Sequence, residues 1–220
     1  MKKILALLLA MVMVVSMAAC GASFDESISM LVQGNIDSIY LGRYSEEYLE
    51  LVNASAEECE QDYLDGIEME AEYFSYYFDI EYLEDDLKAE IMELYKEIYS
   101  HSKYSVSSVS RLDDTTYAVK ISVSPIDIVE LVSNNFESGM ADFYAKYENA
   151  DIESMSDEEY AQYDRDWADA ILAMFYEQLP NLGYKEEQTM ALQVVKDSDD
   201  MWSISDNDMG SIDTLIIYYP

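Results

Sequence analysis

Apolar residues recur along this chain with two different periods, and the switches between them outline the elements. Ile28, Leu31, Val32, Ile36 and Ile39 share one face at a 3.6-residue period, which predicts a helix running to Gly42. Ser23 with Glu26 three residues later is its capping box. A short helix opens at Ser45 and carries Tyr48, Leu51 and Val52. Ser55 and Glu58 form a second box, ahead of a long stripe of Cys59, Tyr63, Ile67, Ala71, Phe74 and Phe78. The next helix presents Leu83, Leu87, Ile91, Leu94 and Ile98, with Glu84 and Lys88 spaced to pair at i,i+4.

The period then falls to two. Tyr117, Val119, Ile121 and Val123 alternate with small or polar residues, the signature of a half-buried strand. "KYSVSSVSRL" reads as its hairpin partner, with a slip in alternation at Ser107–Ser108 that fits a bulge. Pro125 ends the strand and suits a helix start. Val129, Val132, Phe136, Met140, Phe143 and Tyr147 predict one long helix. Ser156 and Glu159 form a third capping box, before Tyr160, Tyr163, Trp167, Ile171 and Met174. Met190, Leu192 and Val194 alternate again, "KDSDD" turns the chain into "MWSIS", and Asp206 is the expected cap of a last helix. Two hairpins supply about four strands. The expected class is α+β, with several amphipathic helices on a single antiparallel sheet. No Gly/Ser/Pro-rich linker interrupts residues 24–220, so one domain is expected there.

The first 20 residues follow neither period. Lys2 and Lys3 precede an uncharged run, Ile4 to Ala19, too short for an ordinary spanning helix, which needs about 20 residues. A positive start, an apolar middle and small residues at the end make a secretory signal over residues 1–19. Met17-Ala18-Ala19-Cys20 resembles the lipobox of bacterial lipoproteins. The resemblance implies that the Cys20 thiol is lipidated, that cleavage falls just before it, and that residues 20–23 are a short tether. It implies a protein held by its lipid on the extracytoplasmic face of the cell membrane, palmitate being among the acyl chains expected. An ordinary signal cut near Ala19 and a retained membrane helix are the alternatives. The second cysteine, Cys59, lies on an apolar helical stripe and reads as a buried free thiol. No internal disulfide is then available, so the exported domain relies on its core.

Charge narrows the partners. The chain carries 46 acidic and 12 basic residues, a net −34. Loss of Lys2 and Lys3 with the signal makes it −36. Nucleic acid is excluded as a partner, since phosphates demand a basic surface. Anionic headgroups repel such a domain, so the lipid has to hold it at the membrane. Half of the residues are hydrophobic, which with the periodicity argues for a folded domain.

Beyond the lipobox, "SIYLGRYSEEYLELVNAS", "YFDIEYLEDDLKAEIMELYKEIYSHSKYSV" and "WSISDNDMGSIDTLI" resemble small lipoproteins of unknown function from Gram-positive bacteria. Such proteins look similar to the nuclear-transport-factor-2-like group. That resemblance implies a curved, cone-like antiparallel sheet packed on helices, a fold that hosts binding modules and enzymes alike.

Candidate chemistry is sparse. Asp197, Asp199, Asp206 and Asp208 invite a calcium reading, but neither register supplies the glycine and closing glutamate of an EF-hand loop. They read as turn and helix-cap residues, and no metal or cofactor is expected. His101 is the one histidine, which makes a hydrolytic triad or histidine-rich zinc site hard to assemble. The densest feature is "YFSYYFDIEY", residues 73–82. Tyr73, Tyr76, Tyr77 and Tyr82 cannot share one narrow stripe, so some are expected at the rim of a ligand-binding concavity. A wide buried face is the plainer alternative. Three functions stay open: a lipid-anchored envelope module that binds a small molecule or an envelope protein; a small enzyme using Asp or Glu with Tyr in a cone-shaped pocket; and a structural envelope protein without a ligand. The first is preferred, and catalysis is not expected.

Overall fold

The computed structural model describes residues 23–220. The class is α+β: among the described residues, nine α-helices accompany one open, four-stranded antiparallel sheet. The helices are α1 (Phe24–Leu41), α2 (Glu46–Val52), α3 (Ala56–Tyr77), α4 (Asp85–Ser100), α5 (Ile128–Asn134), α6 (Phe136–Gly139), α7 (Ala141–Tyr147), α8 (Asp157–Gln178) and α9 (Asp206–Ile216). The strands β1 (Lys103–Arg111), β2 (Thr116–Ser124), β3 (Gln188–Lys196) and β4 (Trp202–Ile204) lie in sequence order. By contacts the chain divides into two compact units. The first takes the described residues up to Gly66, with Tyr99–Ile126 and Tyr184–Ile217. The second takes Ile67–Ile98, Asp127–Gly183 and Tyr218–Pro220.

The first unit holds the sheet. On β2, Tyr117, Val119, Ile121 and Val123 are buried; Leu192 and Val194 of β3 lie opposite Val119 and Tyr117. The other face is wetter, and Ser122 and Thr189 join hydroxyls across it at 3.1 Å. One packed face and one solvated face is the usual state of an antiparallel sheet. Between β1 and β2 the register shifts from Val106 to Ser108, leaving Ser107 as the extra residue. α1 packs on β1 and β2, and α9 on β2 and β3.

The three serine–glutamate boxes all form. Glu26, Glu58 and Glu159 return a carboxylate to the backbone N–H of Ser23, Ser55 and Ser156, at 2.6, 2.8 and 2.9 Å. Gly42 closes α1 with φ 57°, the left-handed conformation that glycine adopts without strain. Gly34 lets α2 approach α1: a Cβ there would stand 2.1 Å from the Tyr48 ring.

Four local expectations differ from what forms. The stripe from Val129 to Tyr147 is not one helix but α5, α6 and α7. Asn135 and Met140 have ψ near zero, and the Asn135 side chain donates to the Leu131 carbonyl at 2.8 Å. Such a bond competes with the helical ladder. The breaks let all three short helices follow α8, and Gly139 admits Met174 where a Cβ would come within 2.6 Å of it. Pro125 does not open the helix, because Ile126 first bridges to Tyr184 and Ile217. Lys88 does not turn to Glu84; its ammonium meets Glu68 at 2.7 Å and Glu72 at 3.9 Å across on α3. Finally, Ser205 caps α9 in place of Asp206, accepting from the Asp208 N–H.

Candidate functional site

Cys20, the expected lipidation residue, lies outside the described residues. The four tyrosines expected to bind ligand all lie in the second unit, but they do not converge. Tyr73 and Tyr77, one turn apart on α3, meet the C-terminal Tyr219 edge-on, with ring centroids 5.5 and 5.1 Å away. Tyr219 in turn shares a 2.9 Å hydroxyl contact with the buried Tyr95 of α4. Tyr76 points out and is 65% exposed. Tyr82, beyond the end of α3, packs edge-on against Tyr160 of α8, 6.1 Å away. One pair thus enters a phenol cluster, one residue faces solvent, and the last joins a different group of rings.

The cluster is not poised to ionise. Burial raises the Tyr95 and Tyr219 phenols well above their ordinary value, and the Glu70 carboxylate adds to the rise. At neutral pH these groups can stack and donate hydrogen bonds, but not act as bases.

The patterning left two acids unremarked. In the first unit, Asp213 of α9 accepts a hydrogen bond from Tyr40 of α1. Tyr40 is 1% exposed and stacks edge-on with Tyr99, centroids 5.3 Å apart. Burial lifts the Asp213 carboxyl to about 6, and the Tyr40 hydroxyl opposes that rise. This is the carboxyl–phenol pairing that acid–base chemistry uses. In the second unit, Asp164 of α8 is 3% exposed. It accepts from the N–H groups of Glu81 and Tyr82, at 3.1 and 2.9 Å, and fixes the segment after α3. Both acids sit on the apolar stripe of their helix. Asp213 lies among Met209, Ile212 and Ile216, and Asp164 among Ala168, Ile171 and Leu172. An acid in register with core residues was the readable signal.

The remaining candidates take structural positions. Cys59 is a buried free thiol, raised by burial and then by Asp62, with Ser38 hydrogen-bonded to it. Asp197 folds its own turn, accepting from the N–H groups of Asp199 and Met201 at 2.8 and 2.9 Å. Asp208 accepts from Gln193 N–H at 2.6 Å and from the Ser205 hydroxyl at 2.7 Å. The His101 carbonyl accepts from Tyr184 at 2.8 Å. Among the described residues, no three Asp, Glu, His or Cys side chains are grouped to hold a metal ion.

No protein-family model matches the chain, and no curated protein matches it. A solved structure does: a "putative lipoprotein (ycdA)" from Bacillus subtilis subsp. subtilis str. 168, with a TM-score of 0.60 at 18% identity. The similarity covers 88% of this chain and 56% of that one, so this chain spans little more than half of its neighbour's length. At that identity the likeness is one of fold.

Proposed function

We propose that this protein is a lipid-anchored, extracytoplasmic binding or interaction module of the cell envelope. The observation that carries the reading is the order of residues 2–20: two lysines, thirteen uncharged residues, then Met17-Ala18-Ala19-Cys20. Two further facts support it. The fold resembles that of a protein described as a "putative lipoprotein". Among the described residues, no helix is long and apolar enough to cross a membrane. Two acyl chains hold far more firmly than one, at about 0.8 kcal/mol per buried CH2. The interaction half of the reading rests on tyrosines that stay at the surface, such as Tyr76 and Tyr82. Replacing Cys20 by Ala is the test. The variant should leave the membrane fraction or keep its leader; a processed variant that still partitions into detergent would refute anchoring.

A second reading, an acid–base enzyme, draws on the Asp213–Tyr40 pair. It would require Asp213→Asn to abolish a turnover that the wild type performs.

A further inference from the structure

The second unit carries a run of aromatic rings apart from the Tyr73–Tyr77–Tyr219 cluster. Tyr82 leads to Tyr160 at 6.1 Å, Tyr160 to Tyr163 at 5.9 Å, and Tyr163 to Tyr147 at 4.8 Å. Tyr160 and Tyr163 stack with planes 25° apart. Phe143, buried beneath, supports both Tyr163 and Tyr147 at 5.2 and 5.0 Å. Tyr82 is 42% exposed, and Tyr160, Tyr163 and Tyr147 are half-buried, so the strip meets solvent along its length.

One end of the strip already holds a cation. The Lys146 ammonium stands 5.3 Å over the Tyr147 ring and pairs with Asp166, and the Tyr147 hydroxyl donates to the same carboxylate at 2.5 Å. A ring face beside a carboxylate is a favourable seat for an ammonium or guanidinium. At the other end the Tyr160 phenol is raised by burial, then by the exposed Glu81 carboxylate, with the buried Asp164 adding to the rise.

The basic residues of this unit are Lys88, Lys96, Lys146 and Arg165, and all four are engaged. Lys88 pairs with Glu68, Lys96 with Glu93, Lys146 with Asp166, and Arg165 with Asp86 and Asp169. Exposed acids Asp157, Glu158 and Glu159 open α8 next to Tyr160. A cation at the Tyr160 end therefore comes from beyond this unit's own side chains.

We propose that the Tyr82–Tyr160–Tyr163 strip, with Glu81, docks the arginine or lysine side chains of an extended basic segment of a partner protein. Same-side residues of an extended chain recur every ~6.6 Å. That matches the ring spacings of 6.1 and 5.9 Å. This inference rests on the interaction-module reading and gives that module a partner chemistry.

The test is calorimetric titration of the full-length protein, in non-ionic detergent, with an octapeptide of alternating arginine and serine. Saturable binding is expected near physiological salt. Tyr82→Ala and Tyr160→Ala should each weaken it about fivefold or more, as loss of a cation–π contact does. Tyr160→Phe keeps the ring face and should stay close to wild type, as should Tyr76→Ala at the exposed tyrosine outside the strip. An octapeptide of alternating glutamate and serine should give no binding. The proposal is overturned if the basic peptide does not bind. It is equally overturned if Tyr82→Ala, a half-exposed position, leaves its affinity unchanged, since diffuse negative charge then accounts for all of it. Membrane retention of the Cys20→Ala variant is read separately, so failure here and failure of anchoring are distinguishable.

Discussion

Asp213 shows how burial and one hydrogen bond set a side chain's behaviour. In the unfolded chain its carboxyl titrates near 3.9. Burial in the folded unit raises it to about 6, despite the Tyr40 hydroxyl. Because the folded state holds this proton more tightly, the resulting stability is fully present below pH ~4. It is lost as pH rises through about 6. A rise of that size corresponds to roughly 3 kcal/mol, an upper bound for a partly accessible group. Asp213→Asn keeps an acceptor for Tyr40 without the charge. Urea melts should show the variant gaining on wild type between pH ~4.5 and ~7.5, by about 1–3 kcal/mol. A difference between the two that does not change with pH would remove burial as the cause.

At the scale of elements, Asp164 ties a loop to a helix. Its carboxylate serves two backbone N–H groups, of Glu81 and Tyr82, that would otherwise be left without it. Asp164→Ala should cost about 2–3 kcal/mol in a denaturant melt. It should also raise hydrogen exchange at residues 79–84 before it does so in α8. A cost below ~0.5 kcal/mol would mean that water replaces the carboxylate freely. Elements of this kind separate what could be read from sequence from what could not. The serine–glutamate boxes, the β2 alternation and the Ser107 bulge are local signals, and the folded chain carries each of them. The break of 128–147 into α5, α6 and α7 is not local. Its apolar spacing is helical throughout, and the interruptions follow from packing on α8 and from the Asn135 side chain. Lys88 is similar: its i,i+4 neighbour was visible, whereas Glu68 twenty residues upstream was not. The tyrosines of 73–82 were legible as unusual, but not as members of two separate groups. Their partners Tyr219 and Tyr160 come from distant parts of the chain.

For the whole molecule, charge and the proposed attachment at Cys20 set the expected behaviour. With 46 acidic residues against 12 basic ones, repulsion between like charges opposes the compact state. Screening shortens from about 30 Å at 0.01 M salt to about 3 Å at 1 M. The melting temperature of the full chain should therefore climb with added sodium chloride; a flat or falling curve would show that ion pairs such as Lys88–Glu68 outweigh the repulsion. Attachment at Cys20, as proposed, would bring one end of the first unit close to the bilayer. The α1 cap is Ser23, three residues after Cys20, which allows roughly 10 Å at full extension. Phe24 follows, with its ring 5.3 Å from both Tyr117 and Trp202, so that end of the sheet is the expected membrane-proximal end. All of this depends on what becomes of Cys20. The most direct measurement is the mass of the N-terminal peptide of the mature protein, isolated from membranes. A peptide that begins at Cys20 and carries a diacylglyceryl group is expected. A peptide that begins at Cys20 or Gly21 without lipid, or one that still includes Met1, would contradict anchoring through Cys20.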